Sequence, residues 1–99
     1  MNLQEFKDSL NNAAPPDGVD LALQAMWYEA KGDWETAHNC AQDKDDKIGA
    51  WVHAYLHRQE GDDWNADYWY RRADRTMPNQ TLEEEWADIV ETLLLQQQN

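Results

Sequence analysis

Cysteine occurs once in these 99 residues, at Cys40, so no intrachain disulfide can form. A fold without staples and a reducing, cytoplasmic setting are the simplest expectations. Basic residues are scarce: 8 Lys and Arg stand against 20 Asp and Glu, a formal net charge of −12. A surface that negative repels phosphate backbones and anionic lipid, which argues against nucleic-acid or membrane partners. Apolar runs never exceed a few residues, far short of a membrane span. The first residues, Met1 to Phe6, have neither a basic region nor an apolar core and do not read as a secretory signal. Also missing are a Gly-rich phosphate loop, a serine-nucleophile motif and a Cys-x-x-Cys pair, so nothing compels an enzyme.

What the chain has is aromatic mass. Six Trp and four Tyr give a small domain large side chains to bury. The apolar spacing predicts an all-α protein of six helices. The first covers about 3–10, and the Asn11–Gly18 stretch with two prolines stops it. The second runs from about Asp17 to Lys31, the third from Trp34 to Gln42. Asp43–Lys47 reads as a solvated turn. The fourth covers Lys47 to Glu60 and the fifth Trp64 to Thr76, with Pro78 beyond it. Thr81-Leu-Glu-Glu84 is a capping box that opens the last helix, on which Leu82, Trp86, Ile89, Val90, Leu93 and Leu94 form one stripe. The terminal Gln96–Asn99 is expected to fray.

A motif is written twice. Gly32-Asp-Trp-Glu-Thr-Ala37 and Gly61-Asp-Asp-Trp-Asn-Ala66 each follow an apolar helical stretch and open another. Gly32 suits a left-handed helix stop, and the following Asp suits an N-cap. Around each glycine small residues coincide, Ala25 with Ala54 and Ala37 with Ala66, and the second unit continues through Tyr70, Ala73 and Pro78. This pattern resembles tetratricopeptide-type helical hairpin repeats, and Ala66-Asp-Tyr-Trp-Tyr-Arg-Arg-Ala73 is similar to the shorter SEL-type variant. The stretch Gly49–Asp62 further resembles a family of small tetratricopeptide-like proteins without an established activity. The resemblance implies one helical domain: an N-terminal helix and linker (1–16), a first hairpin (17–46), a second hairpin (47–78) and a capping helix (79–99). It also implies a protein- or peptide-binding module.

The chemistry-bearing residues gather around the second unit. In Trp51-Val-His53-Ala-Tyr-Leu-His57-Arg-Gln-Glu60, the two histidines and Glu60 share one helix face. His38 follows Ala37 and leans toward that face, so a cluster of His38, His53, His57 and Glu60 is expected, with Asn65 near the same end. Three readings of it stay open. One is a polar packing network bonded to Glu60, Asn65, Tyr28 or Tyr68. Another is a Zn²⁺ site on His38, His53 and His57. The third is a metal-free acid–base site. Trp51, Tyr55 and Arg58 along the inner helix face are the candidate grip for a peptide. Arg58, Arg71, Arg72 and Arg75 are expected to pair internally with nearby acids, Asp67 among them, and Cys40 to be a small core residue. Protein binding without a cofactor is the principal expectation. A small enzyme or zinc protein is the alternative, and self-association through the stack end or last helix a third.

Overall fold

The computed structural model describes residues 1–98. Six helices follow one another: α1 (Leu3–Ser9), α2 (Leu21–Ala30), α3 (Trp34–Asp43), α4 (Lys47–Gln59), α5 (Asp63–Arg72) and α6 (Leu82–Gln98). No strand occurs among the described residues. None of the helices is long and apolar enough to cross a membrane.

Two corners are built alike. Gly32 and Gly61 take φ values of 85° and 86°, where a β-carbon is disfavoured. The residue after each glycine bonds back into the preceding helix, Asp33 N–H to Tyr28 O and Asp62 N–H to His57 O, both at 2.9 Å. Each Asp then caps the next helix, Asp33 accepting from Thr36 N at 3.1 Å and Asp62 from Asn65 N at 3.3 Å. Ala25, Ala37, Ala54 and Ala66 are all fully buried. Their small size lets α2 lie against α3 and α4 against α5.

Several boundaries depart from the pattern-based expectation. α2 starts at Leu21 with Asp20 as its cap, because Gly18 (φ 83°) turns the chain after the prolines. α5 ends at Arg72 and not near Thr76. Asp74 takes φ 60°, and Arg75 N–H closes onto Tyr70 O at 2.8 Å, a glycine-type stop made without glycine. Asp46, inside the charged turn, caps α4 by accepting from Gly49 N at 2.8 Å. The polar tail is helical through Gln98. Gln97 donates to Gly18 O at 3.2 Å and accepts from Asp20 N at 3.3 Å, tying α6 to the start of α2. Asn99, the end of the segment expected to fray, lies outside the described residues.

α3 packs on α4, while α6 lies over α2 and α4 and carries α1. The core between them holds Phe6, Leu23, Met26, Trp27, Val52, Leu56, Ile89 and Val90. Its indoles find acceptors, Trp27 Nε1 at Ser9 Oγ (3.2 Å) and Trp86 Nε1 at Met26 O (3.1 Å). The α3–α4 approach has its own requirement. A β-carbon at Gly49 would meet the Lys44 carbonyl oxygen at 1.7 Å, so only glycine lets the end of α3 pass the first turn of α4.

Candidate functional site

His38 on α3 and His53 and His57 on α4 meet at that approach. Ala37 and Ala54 beside them are fully buried, so the neighbouring positions are drawn into the seam. Nε2 of His38 and Nε2 of His53 are 2.8 Å apart. One ring nitrogen from each of the three histidines lies within 4.8 Å of the other two. His57 Nδ1 donates to Glu60 Oε1 at 2.7 Å, since a carboxylate can only accept, and this leaves the His57 Nε2 lone pair free. Tryptophan walls the group on both sides. His38 stacks on Trp34 at 4.8 Å between ring centroids, and His53 lies flat on Trp69 at 3.9 Å. Trp34 is itself fixed by donating Nε1 to Leu56 O at 3.0 Å.

The surroundings disfavour charge on His38 and His53. Burial, then the neighbouring His38 and His57, pushes His53 down to about 3, with Arg72 adding to the effect. Burial and His57 also lower His38, against a smaller opposite pull from Glu60. His53 is 5 % exposed, whereas His38 and His57 are half-buried, so the cluster reaches solvent on one side. Three imidazoles with converging nitrogens form a donor set suited to a soft or borderline cation. A second grouping, His57 with Glu60 and Asp62, shares one ligand with the first. Its Asp62 carboxylate is occupied in capping α5 and in accepting from Asn65 Nδ2 at 2.6 Å.

Compared with known protein families, curated proteins and solved structures, the chain matches none. The candidate site therefore stands on its own geometry.

The other expected site residues lie elsewhere. Asn65 is bonded to Asp62 and does not join the histidines. Tyr28 packs edge-on against Trp27, and the Tyr68 hydroxyl accepts from Arg72, so of the anticipated network partners only Glu60 takes part. Trp51, Tyr55 and Arg58, expected along an open inner face, lie under α6. Trp51 and Tyr55 are 4 % and 3 % exposed. Arg58 Nη1 and Trp51 Nε1 converge on the Glu85 carboxylate at 2.8 and 3.3 Å, and the Tyr70 hydroxyl reaches both its oxygens at 2.7 and 2.6 Å. Arg58 also donates to Gln80 O. Glu85, 1 % exposed, is thus the centre of a closed internal hub.

Sequence reasoning missed Glu85 as a buried group, because acids in a first turn read as partners of the helix dipole. The available signal was its position four residues before Ile89, on the apolar stripe itself. It also missed Trp34 and Trp69 as walls of the histidine cluster. The arginines divide differently from expectation. Arg71 pairs with Asp67 at 2.7 Å, but Arg72 lies over Tyr68 and Trp69, and Arg75 over Trp51 at 3.4 Å. Cys40 is half-buried against the core, and burial with Asp43 and Asp33 raises its thiol.

Proposed function

We propose that this chain is a small tetratricopeptide-like scaffold of two helical hairpins whose seam binds one transition-metal ion of zinc type through His38, His53 and His57. The convergence of three ring nitrogens within 4.8 Å carries this reading. Tetrahedral zinc with Zn–N bonds of about 2.0–2.1 Å sets neighbouring nitrogens about 3.3 Å apart. The 2.8 Å His38–His53 pair therefore opens slightly on binding, and His57 swings in. Glu60 fills the outer role that carboxylates play behind metal-bound imidazoles, fixing the His57 tautomer and ring angle. Three protein ligands leave the fourth position for water or an exchangeable ligand, the arrangement of a reactive rather than a sealed site.

The test is titration of chelator-treated, untagged protein with Zn²⁺, together with Co²⁺ absorption to report tetrahedral coordination. One equivalent is expected to bind. His38→Ala and His57→Ala are expected to lose binding by a hundredfold or more, and Glu60→Gln by about 10–100-fold. Uptake below a tenth of an equivalent, or uptake indifferent to His38→Ala, defeats the proposal and returns the cluster to a packing role.

Protein binding is the second reading, and one observation favours it. Trp64 is 79 % and Tyr68 43 % exposed on α5, an uncommon outlay of large aromatics on a surface. A partner or a second copy of the chain on that face would cover them. Light scattering across concentration, repeated with Trp64→Ala, separates self-association from a monomer.

A further inference from the structure

Away from the histidines, a cavity of about 670 Å³ opens where α1, α2, α4 and α6 meet. That volume lies within the range of small-molecule sites. Its inner wall is apolar: Tyr55 from α4 and Trp86 from α6 are nearly buried, and Leu10 and Ala87 flank them. Into this wall is set one carboxylate, Glu29, in the last turn of α2.

Glu29 is half-buried, and its carboxyl makes no hydrogen bond or ion pair with any described residue. No fully buried side-chain polar atom among the described residues lacks a partner, so the unpartnered Glu29 oxygens open onto the groove, whereas those of Glu85 are enclosed and bonded. Burial alone pushes the Glu29 carboxyl up to about 7, and its charge helps raise the Tyr55 hydroxyl. A carboxylate offers only acceptors, so an apolar wall leaves it short of donors and of positive charge. The charged groups facing it are Lys7 from α1 and Glu83 and Glu84 from α6, with the Tyr55 hydroxyl from α4. Lys7 is exposed and forms no ion pair with Glu29, so the balance around the opening is negative.

We propose that this groove binds an amphipathic organic cation, a primary ammonium on an aryl or short alkyl body, with Glu29 as its counter-ion and the Tyr55–Trp86 wall as its apolar support. The ammonium supplies the donors and charge that the fold withholds from Glu29, and the aromatic wall takes the hydrocarbon out of water. Binding selects the ionised carboxyl and so strengthens as pH rises through its titration.

The full chain is titrated with 2-phenylethylammonium and, separately, with 2-phenylethanol, following the Glu29 amide and Trp86 indole resonances by NMR at about pH 8, where the carboxyl is ionised. The amine is expected to saturate both signals and to bind at least tenfold more tightly than the alcohol. That gap is expected to shrink severalfold at about pH 5.5, where the carboxyl is protonated while an alkylammonium stays charged. Glu29→Gln, of the same shape, is expected to abolish the gap while leaving Zn²⁺ titration unchanged, so this result and the metal result can fail separately. Equal affinity for amine and alcohol, no saturation by about 10 mM amine, or a gap that survives Glu29→Gln overturns the proposal.

Discussion

At Glu85 three unlike donors, from Arg58, Tyr70 and Trp51, converge on one carboxylate. At the α3–α4 seam three rings of the same kind face one another, with a single carboxylate reached from the outer side of one of them. Both clusters include aromatic side chains, but the seam joins the consecutive helices α3 and α4, whereas the hub ties α4 and α5 to α6. Their satisfaction differs. The hub is electrically complementary and closed, so it has nothing left to offer a ligand. The seam brings ring nitrogens together with no counter-charge between them, and burial with crowded neighbouring rings disfavours charge on His38 and His53. A buried polar group that is matched holds a fold together. A group that is only half matched is where binding becomes chemically worthwhile.

The largest effect should come from breaking the hub. Glu85→Ala leaves the Arg58 guanidinium enclosed without its counter-charge and should cost about 3–5 kcal/mol in urea unfolding. Replacing both partners together, Glu85→Leu with Arg58→Met, should recover much of that loss. A loss well under 1 kcal/mol for the single change would mean that hub and seam are not different in kind.

Gly49→Ala should come next, at about 1–3 kcal/mol, since the Lys44 carbonyl must move to admit a methyl group. Because that contact sets how closely α3 approaches α4, the variant should also bind Zn²⁺ at least tenfold more weakly while retaining its helical circular dichroism. Unchanged metal affinity in a variant that has lost stability would separate the seam from the Gly49–Lys44 approach, so affinity and stability are measured together.

The smallest effect is a pH slope in chelator-treated protein. His53 protonates near 6.5 when unfolded but resists to about 3 when folded. Stability is therefore fully present above about pH 6.5 and is lost on acidification toward pH 3, by about 1 kcal/mol at pH 5.5. Glu29 runs the other way, its raised carboxyl making the fold less stable as pH climbs from 4.5 to about 7. His53→Phe should reduce only the first slope, leaving the smaller part that comes from His38, and Glu29→Gln only the second, as read from unfolding midpoints across pH. An acid slope left undiminished by His53→Phe would remove the electrostatic contrast between seam and hub.

Much of this architecture was legible along the chain. The doubled glycine-led corner, its Asp caps and the Thr81 capping box are local devices, each completed within a few residues. Their positions could therefore be read without knowing what packed where. The meeting of His38 with His53 and His57 was also readable, because Ala37 and Ala54 mark which sides of two helices face each other. Less local features were not. Asp74 stops α5 in place of a glycine, and Gln97 holds a tail whose composition reads as frayed. Trp51 and Tyr55 looked like an open aromatic face because spacing on α4 gives no information about the path of α6.

Local spacing, capping and charge thus determined the all-helical character, the two matched corners and the gathering of imidazoles on one side. Where α6 comes to rest was decided in three dimensions. That placement buried Glu85 against Arg58, covered the α4 aromatics and left Glu29 facing an apolar groove without a partner. The reason is physical: a hydrogen bond within a turn is fixed by its neighbours, but the environment of a long-range carboxylate depends on which surfaces exclude water together.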